Sequence, residues 1–406
     1  MTRPDLLARA EQARAGRERA GLLRRARTCD VLADGKRLVQ GRALVDFCGN
    51  DYLGLASHPD LVRALTRAAA AEGVGSGAAH LVSGHRGEHA ALEEELAAWT
   101  GRERALLFST GVMANLGALQ ALLAAGTPPA GGVATALCVQ DKLNHASLID
   151  GAQLAGADLR RYPHGDVEAA GRQLDTRPAL PALLATDGVF SMDGDVAPLR
   201  DLAAVCRTHR ATLYVDDAHG LGVLGPEGAG SVSAAGLGSA DVPVLMGTLG
   251  KALGCAGAFV AGDAAVIDAI AQFARTAIYT TAMPAALAAA TRAAVRLVRT
   301  DAEGRRERLA ANIARFRAGA AQLGLPLLPS ATAIQPLPMV GARAAAAAAA
   351  ALEDEGYLVV AIRPPTVPQG GARLRITLSA VHTDDRIDGL LDALGRLPRP
   401  AEGAVV

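Results

Sequence analysis

The stretch ATLYVDDAHGLGVLG, residues 211–225, decides the fold. Its first half is a short apolar run of strand type that ends in two acids, Asp216 and Asp217. Its second half contains GLGVLG, residues 220–225, the letter pattern of a dinucleotide-binding turn. Such a turn must open a helix whose N-terminus holds the pyrophosphate. The next residues, PEGAGSVSAAG, are too rich in glycine and turn formers to supply that helix. The stretch is therefore expected to be one strand of an α/β sheet with acids and His219 at its carboxyl end, and a nicotinamide dehydrogenase is set aside.

Similar runs flank it: RALLFS, TALCVQD, LRRYP, ALLATDGVF, VPVLMGTLG and GAFVAG, separated by helical segments. That alternation predicts a mostly parallel sheet buried on both faces. Upstream, LVDFCGNDYLGL reads as a short strand running into an Asn-Asp turn, and HPDLVRALTRAAAAEG and ALEEELAAWTG read as helices. A long helix starts near MPAALAAATRAAVRLVRT; beyond it IQPLPMV, YLVVAIRPPT and ARLRITLSA are strand candidates of a smaller α+β layer. The alanine run 344–351 reads as helix, closed by the glycine after LEDE. The expected organisation is an N-terminal helix and arm over 1–55, a large domain over 56–290 and a small α+β domain over 291–406.

Composition excludes several function classes. The 406 residues carry 41 basic and 41 acidic side chains, so no basic field recruits nucleic acid. Five scattered cysteines, none in a C-x-x-C pair, argue against a disulfide framework or a structural zinc site and fit a reducing cytoplasm. No apolar run approaches the roughly 20 residues that span a bilayer. The Arg-rich start, DLLARAEQARAGRERAGLLRRAR, has helical apolar spacing, but its acids and lack of serine favour an ordinary helix over a transit peptide. No metal ligand set is evident.

Only Lys36, Lys142 and Lys251 are lysines; every other basic residue is arginine. Arginine stays protonated, whereas lysine can act as a neutral amine or form an imine, so each lysine invites a search for chemistry. Lys36 lies in a polar DGKR turn and needs none. Lys251 lies in LMGTLGKALG, residues 245–254, among glycines and aliphatics. A phosphate loop fails there, because the spacing is wrong and Ala252 stands where the magnesium-binding hydroxyl belongs.

In an open parallel sheet, ligands gather at the carboxyl ends of strands. After RALLF comes STGVMAN, a turn and helix start that would seat a phosphate at Gly111, or simply an N-cap by Ser109 or Thr110. His145 follows TALCVQD, Asp187 and Ser191 follow ALLAT, Asp216 and His219 follow ATLYV, and Thr248 and Lys251 follow VPVLM. An anion site, a carboxylate, histidines, a hydroxyl and an amine on one sheet edge fit pyridoxal 5'-phosphate (PLP): a phosphate to seat, a ring nitrogen to keep protonated and an aldehyde for a lysine.

With NDYLGL, ALEEELA, NHASLIDGA, DGVFSMDGD, VDDAHGLGVLG, GTLGKALG and AIRPPTVPQGGARLRITLSAVHT, the chain resembles the α-oxoamine synthases among fold-type I PLP-dependent transferases. The resemblance implies an acyltransferase in which Lys251 binds the cofactor aldehyde and then acts as the base. It implies that Asp216 pairs with the ring nitrogen, His219 meets the ring hydroxyl, His145 stacks on the ring and Ser191 holds it from the side. Gly111, Val112 and Thr248 would lie at the cofactor, and Thr281 would reach the phosphate of a neighbouring subunit, which requires a homodimer. Arg24, Asn50, His145, Thr366 and Arg375 match substrate-binding positions, with Arg375 for the amino-acid carboxylate. AIRPPTVP points to L-alanine and a pimeloyl thioester, on coenzyme A or acyl carrier protein. The alternatives are another α-oxoamine synthase, such as one using glycine and acetyl-CoA, and a non-catalytic protein of this fold. Two departures stand out: Val112 where many relatives carry an aromatic residue, and Asp187 where relatives carry Glu.

Overall fold

In the computed structural model, residues 3–20, 22–32, 35–124 and 134–398 are described. LVDFCG does not stand alone: it ends a small antiparallel meander of β1 (Cys29–Val31), β2 (Lys36–Val39) and β3 (Arg42–Asp46). Lys36 is thus the first residue of a strand and not a turn residue; the turn is made by Gly35, at φ +68°.

Each apolar run of the large sheet forms a strand: β4 (Arg104–Phe108), β5 (Leu137–Asp141), β6 (Asp158–Tyr162), β7 (Ala182–Asp187), β8 (Thr212–Asp216), β9 (Val244–Thr248) and β10 (Ala258–Gly262). Their order is β4-β10-β9-β8-β7-β5-β6. β10 runs antiparallel to both its neighbours, and the remaining pairs are parallel. Helices cover both faces. One apolar cluster gathers Leu119, Leu148 and Ile267, the other Leu174, Leu202 and Val232, so the strands between them are buried on both sides. After GLGVLG come only a one-turn 3-10 helix and the four-residue helix Ser231–Ala234, too short to serve as a dinucleotide-binding helix.

The long helix Ala285–Thr300 leads to a third sheet of β11 (Ile334–Pro338), β13 (Val360–Ile362) and β14 (Arg373–Thr377), while β12 (Tyr357–Leu358) pairs with β3. The alanine run lies in the helix Gly341–Asp354. β14 also runs onto the N-terminal segment. Thr377 donates its N–H to the Phe47 carbonyl at 2.7 Å, and Ala380 donates to Tyr52 at 2.8 Å. The N-terminal helix Leu6–Arg19 forms, capped by Asp5, but none of its residues is buried, so its apolar spacing does not mark a face packed within this chain. No described helix is long and apolar enough to cross a membrane.

A charged clamp braces the sheet edge between β5 and β7. His164 faces Asp141 through Nδ1 (3.1 and 3.2 Å) and Asp195 through Nε2 (2.9 Å), with Phe190 edge-on to its ring. Hydrogen bonds to the two carboxylates push the imidazole up to about 10, against the cost of burial. Because the folded value lies above the unfolded one, the clamp stabilises fully below about pH 6.5 and is lost as pH rises towards about 10. His164→Gln is expected to destabilise by about 1–3 kcal/mol at pH 6, since it leaves the buried Asp141 without its cation. Urea unfolding at pH 6 and pH 10 checks this: the gap between the two proteins should close at the higher pH.

Candidate active site

Five strand ends converge on a cavity of about 200 Å³ lined by Gly111, Val112, Asn115, His145, Asp187, Ser191, Asp216, His219, Thr248 and Lys251, among others. β4 ends at Phe108, and Ser109-Thr110 lead into the helix Gly111–Ala124. The Thr110 hydroxyl accepts the Met113 N–H at 3.1 Å, so it is an N-cap. Gly111 and Val112, in the first turn that this cap opens, line the cavity. Val112, which is half-exposed, leaves this side open.

Lys251 stands on the turn after β9. Gly254 closes that turn at φ +65°, donating to the Lys251 carbonyl at 2.8 Å. A Cβ at Gly254 would run into the backbone of Leu55 and Ala56, so glycine is required for the close approach. Lys251 Nζ lies 2.8 Å from His219 Nε2, and His219 Nδ1 lies 2.7 Å from the Tyr52 hydroxyl, which donates to Asn50 Oδ1 at 3.3 Å. The Tyr52 donation makes that hydroxyl the acceptor for Nδ1–H, so Nε2 accepts from the lysine. Burial, with Lys251 and Arg375 nearby, holds His219 far below the usual imidazole range and keeps it neutral. Burial likewise lowers Lys251 to about 8, against the pull of Asp216 and Asp187.

Asp216 and Asp187 end neighbouring parallel strands in register. Asp216 accepts from Ala218 N–H through Oδ1 (3.1 Å) and from Asn115 Nδ2 through Oδ2 (2.7 Å). Asp187 accepts the His145 N–H at 3.1 Å, while its Oδ1 is buried without a partner. Burial and then the Asp216 charge push the Asp187 carboxyl well above the usual carboxylate range.

Asn115 ties the floor of the cavity together, and its role was not legible in the sequence. It donates to Ser147 Oγ (2.8 Å) and Asp216 and accepts from the Tyr214 hydroxyl (2.8 Å). Ser147 Oγ in turn lies 2.7 Å from His145 Nδ1, which also accepts the Ser147 N–H at 3.3 Å and so helps to orient the ring. A polar residue four positions after Gly111 falls on the face of its helix that carries Gly111, which is the one available signal.

Arg375, on β14, donates to the Ser191 carbonyl at 2.6 Å and to Asn50 Oδ1 at 3.3 Å, joining the cavity to the N-terminal segment. Arg24, which is exposed, donates to the Thr366 hydroxyl at 3.4 Å, although the two lie far apart in sequence; neither is among the residues lining the cavity. Thr248 donates to the Gly257 carbonyl at 3.2 Å and faces the cavity. Thr281 does not line this chain's own cavity; it is exposed on a segment bridged to Ala79. A larger cavity of about 480 Å³ lies beside Arg37, Asp46, Asp51 and Arg305, but it holds none of these strand-end groups, and its arginines are already paired with Asp46 and Glu303.

The model of the aminotransferase class I and II family matches residues 42–394. The 8-amino-7-oxononanoate synthase of Alkalilimnicola ehrlichii is 57% identical over 369 residues, 91% of this chain and 90% of that protein. Among solved structures, SPT with a PLP internal aldimine matches at a TM-score of 0.89 and 29% identity, covering 97% of this chain and 98% of that one. The 8-amino-7-oxononanoate synthase of Francisella tularensis matches at 0.74 and 30%, covering 87% and 97%. The chain has the architecture of the fold-type I PLP transferases and belongs to the class I and II aminotransferase family and, within it, to the 8-amino-7-oxononanoate synthases, which are PLP-dependent acyltransferases.

Proposed function

We propose that the protein condenses L-alanine with a pimeloyl thioester, releasing carbon dioxide and the thiol carrier, to give 8-amino-7-oxononanoate for biotin synthesis. The observation that carries this reading is the buried Lys251 amine, held 2.8 Å from a neutral His219 in the same cavity as Asp216 at the end of β8. The residues fit PLP: free N–H groups at Gly111 and Val112 for a phosphate, a buried carboxylate for a ring nitrogen, and a lysine near neutrality for an aldehyde. When bound, PLP supplies an electron sink for the pair of electrons left at the amino-acid Cα.

The chain's own groups do the rest. Lys251 anchors the cofactor and, once alanine has displaced it, carries the Cα proton away and later returns it; an amine lowered to about 8 is suited to both tasks near neutrality. Asp216 would keep a proton on the ring nitrogen, His145 would stack on the ring, His219 would meet the ring hydroxyl and Ser191 would hold the ring from the side. Thr248 adds a hydroxyl at the phosphate, and Thr281 reaches the phosphate of a partner subunit in a homodimer. Arg375 and Asn50 hold the alanine carboxylate, and Arg24 and Thr366 bind substrate from the exposed surface.

Incubation of the holoenzyme with L-alanine, glycine or L-serine and either pimeloyl-CoA, pimeloyl carrier protein or acetyl-CoA tests the reading, with products identified by mass. Turnover with alanine and a pimeloyl donor is expected; turnover with glycine and acetyl-CoA alone overturns it. The capture of PLP by apo-protein should also accelerate with pH around a midpoint near 8, where Lys251 loses its proton. Stopped-flow absorbance reads this directly, and a midpoint above about 10, the range of an unperturbed lysine, contradicts the burial of the amine.

A further inference from the structure

The backbone carbonyl of Met283 receives two buried side-chain donors: Ser76 Oγ at 2.6 Å and His89 Nε2 at 2.8 Å. His89 is fully buried, and its Nδ1 accepts the Arg86 N–H at 2.9 Å at the start of the helix Gly87–Trp99. Acceptance at Nδ1 fixes the proton on Nε2, so the imidazole is a strut with one defined direction. Ring nitrogens of His80, His85 and His89 lie within 4.8 Å of one another, a spacing that suits a metal ion. Both nitrogens of His89 are already committed, however, and the cluster offers no free third imidazole.

The strut acts on a specific segment. Ala282 donates to the Ala78 carbonyl at 3.0 Å, and Ala79 bridges Thr281 in antiparallel fashion, so residues 281–283 are held from both sides by 76–79 and by the helix start. Thr281 itself is exposed, and among the described residues its hydroxyl has no hydrogen-bond partner. We infer that His89, assisted by Ser76, is a positioning residue that sets the Thr281 hydroxyl for the cofactor phosphate of the partner subunit. This rests on the intersubunit role of Thr281 proposed above. A hydroxyl delivered across an interface is useful only if its backbone is fixed before the partner arrives, and two donors on one carbonyl fix it.

The test compares apo-protein binding of PLP with binding of pyridoxal, which keeps the aldehyde and lacks the phosphate. For His89→Ala the PLP dissociation constant should rise about tenfold, the scale of a charge-assisted hydrogen bond, while that of pyridoxal stays unchanged. Thr281→Val should show the same selective loss, the double variant should be no worse than Thr281→Val, and His89→Gln, which keeps a donor near the Nε2 position, should restore most of the PLP affinity. Ser76→Ala, which removes the other donor to the same carbonyl, serves as the second variant if His89→Ala does not fold. Equal losses for PLP and pyridoxal, additive losses in the double variant, or no loss in either His89→Ala or Ser76→Ala overturns the inference and leaves the Thr281 contact standing. An unchanged PLP affinity in Thr281→Val removes that contact, and the inference falls with it.

Discussion

Lys251→Ala is expected to reduce turnover by about ten-thousandfold while the cavity still takes up PLP, because the proposed function assigns the substrate Cα proton to this amine and the phosphate and ring to other residues. Lys251→Arg should be no better. A guanidinium keeps the charge but neither gives up its proton near neutrality nor bonds to an aldehyde, so restoring the charge restores nothing. The environment sharpens this prediction. Lys251 is held low by burial and donates to a neutral His219 that Tyr52 supports from behind, so the site is built around an amine whose proton is loosely held. Absorbance titration with PLP, borohydride reduction and a turnover assay on the same preparations separate the two functions: retained PLP, no covalent trapping and no product is the expected triple outcome.

The second large effect concerns the pair at the ends of β7 and β8. Asp216→Ala should lower turnover by about a hundred- to a thousandfold, the scale of losing one preorganised electrostatic contact in a buried site. The loss is bounded by Asp187. Burial and then the neighbouring Asp216 charge hold that carboxyl well above the usual carboxylate range, so removing Asp216 lets Asp187 ionise more readily and take over part of the electrostatic role. Asp187→Asn alone should therefore cost little, while Asp187→Asn with Asp216→Ala should cost more than the sum of the single losses. Steady-state turnover of the four proteins completes the cycle, and strict additivity contradicts the coupling.

Legibility in the sequence followed burial. β4 to β10 were readable because both their faces are covered, which forces short continuous apolar runs between helices. The reversed direction of β10 was not readable, since an apolar run carries no sign of its direction. β1 and β2 escaped because β1 is wholly exposed and β2 begins with Lys36-Arg37, so neither shows an apolar run. Within the site, the reactive types at strand ends stood out by chemistry: Lys251, Asp216, His219 and His145. Asn115, Ser147 and Tyr52 did not, because a neutral polar residue in a helix, or a tyrosine in an apolar stretch, looks the same whether it supports a reactive group or a surface. Only the network from Tyr214 through Asn115 to Asp216, and from Tyr52 to His219, distinguishes them.

The hydrogen bonds from Thr377 to Phe47 and from Ala380 to Tyr52 bear on the order in which the protein is made. Asn50 and Arg375 are 325 positions apart, so a ribosome adding about 5–20 residues per second delivers the second of them about 16–65 s after the first. During that interval Tyr52 and Asn50 have left the exit tunnel without the strand that later fastens their segment. The nascent chain can build the central sheet and present Lys251 while the corner where Arg375 meets Asn50 is still missing. Synthesis must reach β14, the last of the described strands, before that corner can close, so the two ends of the chain are joined only when nearly all of it has been made.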